Sequence, residues 1–140
     1  GAGVLIFLDT NVISEIFQRA PDGRILDWLE QHDSEAVVSS MVLAELAYGV
    51  ERIRPAERAR RLENRLGEVK RRYAGRVYSF TEDAAYAFGA IMANAERIGR
   101  RMEVPDGIIA SIALVNGGRL ATRNLRDFET TNLDLISPWD

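Results

Sequence analysis

Leu5-Ile6-Phe7-Leu8-Asp9-Thr10-Asn11 decides how the chain is read. Val4 to Leu8 is an unbroken apolar run with no polar alternation. Such a run suits a strand covered on both faces, as at the centre of a parallel sheet. It stops abruptly at three polar residues, and an amphipathic segment follows from Val12. In open α/β sheets, ligand chemistry collects beyond the carboxyl ends of the strands. Asp9 therefore stands where such a fold places a working carboxylate. The competing reading is that Asp9, Thr10 or Asn11 only caps the next helix.

Working outward, the pattern alternates. A helix is expected over Asn11 to Gln18, then Pro21-Asp22-Gly23 breaks it, and a second helix runs from Arg24 to Gln31. His32, the only histidine, ends that helix and has no partner for acid–base work, so a structural role is expected. Ala36 to Ser39 reads as the second strand and Ser40 to Ile53 as a helix with apolar periodicity. Glu45 falls inside that apolar pattern, where an uncompensated carboxylate is costly. Pro55 is expected in the first turn of the next helix. Ala59, Leu62, Leu66, Val69 and Tyr73 then make a narrow seam. Glu57–Arg61 and Glu68–Arg72 are spaced for ion pairing at i,i+4. Residues 40–73 thus read as a protruding helical hairpin with one apolar seam and a basic outside.

The third strand is expected at Val77 to Phe80, with Thr81 capping a helix over Ala84 to Ile98. That helix is apolar around most of its circumference, which predicts burial in the core or in a subunit interface. Val104-Pro105-Asp106-Gly107 opens another helix, which closes at Asn116-Gly117-Gly118. Leu120 to Thr122 is the fourth strand, followed by Arg123, Asn124 and Asp127, and Leu133 to Ile136 is the last. Strands alternating with helices predict an α/β domain with a parallel sheet flanked by helices.

The chain has 140 residues, 46% of them hydrophobic and 28% charged, and reads as one domain over 1–140. Gly1-Ala2-Gly3 stands where an initiator Met would and is set aside as an expected expression remnant. With no cysteine, disulfides and thiolate metal sites are excluded. No apolar run approaches a membrane span and no signal peptide is recognisable, so a cytoplasmic setting is expected. The net charge of −3 is unevenly spread. Residues 51–76 hold ten basic and four acidic side chains, leaving a strongly acidic remainder. Two surfaces with different partners are expected.

Asp9, Asp106 and Asp127 lie at strand ends or helix starts, and Glu45 lies on the helix after strand two. If their strands are neighbours, the four carboxylates converge at one sheet edge. They would then repel and raise one another's pKa. A hard divalent cation relieves that repulsion, and all-oxygen ligands select Mg²⁺ or Mn²⁺. Such a site hydrolyses phosphodiesters with a metal-activated water.

Leu8-Asp9-Thr10-Asn11, Leu43-Ala44-Glu45-Leu46-Ala47-Tyr48-Gly49, Pro105-Asp106-Gly107-Ile108-Ile109-Ala110 and Leu120-Ala121-Thr122-Arg123-Asn124-Leu125-Arg126-Asp127-Phe128 occur in this order, with Ile136-Ser137-Pro138-Trp139 closing the chain. Together they make the chain resemble PIN-domain ribonucleases, and within them the VapC/FitB-like toxins of type II toxin–antitoxin pairs. The resemblance implies a five-stranded parallel sheet and an acidic metal pocket. Asp9, Glu45 and Asp106 match the three core acids as catalytic metal ligands, and Asp127 matches a fourth, more variable one. Thr10, Asn11, Thr122 and Asn124 match pocket-supporting residues. The resemblance also implies RNA as substrate, a homodimer, and a VapB-like antitoxin that silences the toxin, in some cases in a larger assembly. Arg123, Arg126 and the hairpin arginines are expected to give the acidic mouth its phosphate affinity.

Two other readings compete. An aspartyl-nucleophile phosphatase wants a second Asp two positions after the first, and Asn11 stands there. A non-catalytic PIN-like module for binding nucleic acid or protein would be expected to have lost acids, and all four are present. A dinucleotide site is disfavoured because no glycine-rich turn follows strand one.

Overall fold

The computed structural model describes residues 3–140, so Gly1 and Ala2 lie outside it. Strand β1 (Ile6–Leu8) is buried at every position and lies at the centre of a five-stranded sheet of order β3-β2-β1-β4-β5. β2 (Ala36–Ser39) and β4 (Arg119–Ala121) flank it, with Ile6 opposite Ala36 on one side and Arg119 on the other. β3 (Val77–Tyr78) and β5 (Leu135–Ile136) form the edges, and every pairing is parallel. The apolar run of β1 is uniform because helices cover both faces. The ladder continues past β1, where the Asp9 N–H donates to the Ala121 carbonyl at 2.9 Å. This bond fixes Asp9 at the carboxyl edge of the sheet.

Four of the α-helices start where a short polar side chain takes up a free N–H group. Asp9 caps α1 (Thr10–Ile16), Asp22 caps α2 (Gly23–His32), and Ser39 caps α3 (Ser40–Glu51) by accepting from the Val42 N–H. Thr81 caps α5 (Glu82–Ile98), which ends on Gly99 at φ +82°. Pro105 lies in the first turn of α6 (Val104–Val115). Phe7, Leu8, Val12, Ile13, Val38, Ile109, Ile112 and Leu120 are buried at or below 1% exposure and form the core between sheet and helices. Each contributes about 1.5–3 kcal/mol of apolar burial. His32 is structural, as expected: its Nδ1 lies 2.8 Å from the Trp28 carbonyl and its ring stacks on Trp28.

Several expectations are corrected. β1, β3 and β5 are shorter than the runs that announce them, and β4 lies one residue earlier than expected. Val4 is 49% exposed, and pairing begins at Leu5, whose carbonyl accepts from Arg119 N–H. Phe80 lies beyond β3 and is exposed. Pro55 does not open a helix: residues 52–57 are turns, and α4 (Arg58–Arg72) starts three residues later. Neither expected i,i+4 pair forms. Arg72 instead reaches Asp33 at 3.1 Å, and Arg54 bridges Glu51 and Glu63. Residues Leu125–Thr131 form a 3-10 helix that the pattern does not signal. In α5 Ala84, Ile91 and Ala95 are buried, Ala87, Phe88, Met92 and Ala93 are half-buried, and Tyr86 is 75% exposed, so only part of its apolar circumference packs on this chain.

Gly118, just before β4, packs against the edge of the Phe7 ring. A Cβ there would overlap that ring, which is fully buried in β1. Gly118→Ala should therefore cost about 1–3 kcal/mol in urea denaturation. An unchanged midpoint would mean that the centre of the sheet yields more easily than its burial implies.

Candidate active site

The carboxyl ends of β1 and β4 and the starts of α1, α3 and α6 meet at one place. Asp9 is only 6% exposed there. Its Oδ1 accepts from the Thr10 N–H at 2.8 Å. Its Oδ2 accepts from the Thr122 hydroxyl at 2.7 Å and from the Asn11 amide at 3.2 Å. The capping and functional readings of Asp9 thus coincide: capping locks the carboxylate in place. Asn11 spans the same gap, donating to Thr122 Oγ1 at 3.4 Å while its Oδ1 accepts from the Arg123 N–H at 3.2 Å. Thr122 is fully buried, and its hydroxyl also accepts from the Asn124 N–H at 3.0 Å.

Glu45, one turn into α3, is held by the Thr10 hydroxyl, which donates to its Oε1 at 2.6 Å. Thr10 and Asn11 are successive residues on one helical turn, and they orient Glu45 and Asp9 respectively. Asp106 sits in the first turn of α6. Asp127 lies on the 3-10 helix and is exposed, as are Arg123, Asn124 and Arg126. The Asn124 backbone N–H, rather than its side chain, makes the supporting bond to Thr122. Arg123 stacks over the Trp139 ring at 5.1 Å, beside the site rather than in it.

Burial raises the Asp9 carboxyl above its ordinary value, against the hydrogen bonds that lower it, with a smaller push from Asp127. Asp106 is raised to about 7, first by burial and then by the charges of Asp9, Asp127, Glu45 and Glu103. Asp9, Glu45 and Asp127 therefore all lie close enough to act on Asp106. Among the described residues none of them is salt-bridged, and the bonds on Asp9 and Glu45 come from neutral hydroxyl and amide donors. Uncompensated carboxylates with oxygen-only chemistry fit a hard divalent cation. Among the described residues, no three His, Cys, Asp or Glu side chains are placed closely enough to hold a metal ion together.

Two contributors escaped the sequence reading. Ser39 caps α3 and so sets the start of the helix that carries Glu45; a Ser at a strand–helix junction was the available signal. Glu103, three residues before Asp106, adds to the negative field on it.

A PIN domain family model matches residues 6–132. The chain belongs to the PIN domain family. The VapC ribonuclease Y4jK of Sinorhizobium fredii is 38% identical over 97% of this chain and 99% of its own length. Toxin FitB of Neisseria gonorrhoeae is 32% identical over 96% and 99%. The crystal structure of FitAcB from Neisseria gonorrhoeae superposes with a TM-score of 0.86 at 31% identity, covering 96% of this chain and 99% of that one. This PIN domain has the expected five-stranded parallel sheet, and no helix among its described residues is long and apolar enough to cross a membrane.

The acid cluster makes a stability prediction for the metal-free PIN domain. The native pKa of Asp106, about 7, exceeds its unfolded value of 3.8. The native state therefore keeps the proton between those values. Stability is fullest below the unfolded pKa and is lost as pH rises toward 7, above which the penalty is complete. In EDTA at pH 8, Asp106→Asn should stabilise the fold by about 1–2 kcal/mol, a figure reduced for partial exposure. At pH 4 the gain should nearly vanish. Equal effects at both pH values in thermal denaturation would contradict the charge cluster.

Proposed function

We propose that this PIN domain is a Mg²⁺- or Mn²⁺-dependent endoribonuclease and the toxin half of a toxin–antitoxin pair. The observation that carries the reading is the convergence of Asp9, Glu45, Asp106 and Asp127 without a cationic partner. A relative named VapC ribonuclease supports RNA as the substrate class, and one named Toxin FitB supports the toxin role. Asp9, Glu45 and Asp106 would hold the cation, with Asp127 at the exposed margin. When bound, the cation lowers the pKa of a coordinated water and withdraws charge from a phosphodiester oxygen. Thr122, Asn11 and Thr10 keep Asp9 and Glu45 in fixed rotamers, so little reorganisation is needed when substrate arrives.

Partners follow from the same reading. FitAB is known bound to a DNA fragment, with a TM-score of 0.87 to this chain at 29% identity. A VapB-like antitoxin is the proposed partner here. An apolar cleft of about 270 Å³ beside Glu45, lined by Ile13, Phe17, Leu46, Leu62 and Leu66, suits an inserted segment of that protein. The outward apolar face of α5, with Tyr86, suits a homodimer contact, on which a larger toxin–antitoxin assembly could be built.

Cleavage of a mixed RNA pool tests the reading. Activity should require Mg²⁺ or Mn²⁺ and be abolished by EDTA. Asp9→Asn and Asp106→Asn should each lose at least about 100-fold, and Asp127→Asn about 10-fold, since the former sit at the centre of the site. Cleavage surviving in the Asp9 and Asp106 variants would refute the assignment. A phospho-enzyme formed on Asp9 would favour phosphatase chemistry instead.

A further inference from the structure

The hairpin of α3 and α4 carries charge on both flanks, but the two flanks differ. On one, Arg52, Arg58, Arg61 and Arg65 line a groove of about 350 Å³ that holds no acid; Gly49, Ile53 and Leu62 complete it. Among the described residues none of these four arginines pairs with a carboxylate. On the other flank Arg54, Lys70 and Arg71 are matched by Glu51, Glu63 and Glu68, and Arg54 bridges two of those acids. A merely solvated helix surface would mix its charges on both sides. Here like charge is collected on one side, at a cost in self-repulsion that a polyanion would relieve.

The position of the groove matters as much as its charge. Gly49, Leu62 and Arg65 also line the cleft that contains Thr10 and Glu45, so the two spaces adjoin. Along α3, Glu45, Tyr48, Gly49 and Arg52 share one face, at spacings of three and four. Arg52 stands about 10 Å along the helix axis from Glu45. Between them Tyr48 is 67% exposed, with its ring unused by the core.

An exposed aromatic interleaved with unpaired arginines is the pattern that binds single-stranded nucleic acid, with arginine on phosphates and bases on the ring. We propose that this groove is the substrate track: Arg52, Arg58, Arg61 and Arg65 hold the backbone of single-stranded RNA, and Tyr48 stacks a base beside Glu45. The proposal rests on the ribonuclease reading and deepens it. A docked protein segment is the less favoured occupant, because the groove offers only Ile53 and Leu62 as apolar anchors.

The test is fluorescence anisotropy with a fluorescein-labelled oligouridylate in EDTA, where binding is read without cleavage. Arg52→Gln combined with Arg61→Gln should weaken binding at least about 10-fold. It should also reduce the slope of log affinity against log salt by about 1.4, at about 0.7 per phosphate on a single strand. Tyr48→Ala should weaken binding by about 5- to 100-fold at an unchanged salt slope, with Tyr48→Phe restoring it. Lys70→Gln with Arg71→Gln, on the neutral flank, should bind as the parent does, and annealing the probe to its complement should weaken binding to the parent. Parent-like binding by the double arginine variant would overturn the track, and an inert Tyr48→Ala would overturn the stacking. If the arginine variants keep RNA affinity but lose affinity for polyglutamate, the groove is a protein site and the proposal fails. Metal-dependent cleavage that is equal in parent and groove variants would sink the track alone. Intact groove-dependent binding without any cleavage would sink the nuclease reading alone.

Discussion

Four carboxylates are held near one another at the carboxyl edge of a buried sheet, and no cationic side chain neutralises them. That electrostatic debt governs the rest of the molecule. Burial first, and this repulsion second, raise Asp106 to about 7, and a fold can sustain the repulsion only if the acids are held by something stronger. The holding is done by backbone and neutral donors: the β1–β4 ladder reaches Asp9 through its own N–H, Thr122 and Asn11 fasten its second oxygen, and Thr10 fastens Glu45. None of these donors cancels charge. The arrangement keeps the acids in place while leaving their field available to a cation.

Much of this was legible in the sequence because burial and capping leave local marks. The apolar run before Asp9 identifies a central strand, since only a strand covered on both faces can dispense with polar alternation. Ala36 to Ser39 was read with its observed bounds, and Asp9, Glu45, Asp106 and Asp127 were all named from topological position and motif. What the residues could not display was partner choice at a distance. Arg72 prefers Asp33, thirty-nine positions away, to its helical neighbour Glu68, because the turn before β2 brings Asp33 alongside α4. The 3-10 helix carrying Asp127 is likewise set by tertiary packing, with Phe128 buried and Asp127 left outside. Periodicity marks α5 as apolar nearly all round without saying which face packs on this chain, because an interface face and a core face have the same composition.

The surface carries a separation of charge that the net charge conceals. An acidic mouth would repel an RNA backbone, yet the groove beside it gathers arginines with no acid among them. Affinity and chemistry can then be supplied by adjacent regions of opposite sign, with Tyr48 at the boundary. Apolar surface lies in the cleft that adjoins this groove beside α1 and on the outer face of α5.

The central proposal is that the acid cluster binds a divalent cation. Its most direct test is the melting temperature of the chain as Mg²⁺ or Mn²⁺ is added to protein stripped with EDTA. Binding to the native state alone must raise the melting temperature in proportion to the logarithm of cation concentration once the site is filled. The account predicts such a rise in the parent chain and its loss in Glu45→Gln, which keeps the side-chain shape but not the charge. A melting temperature indifferent to either cation would contradict it.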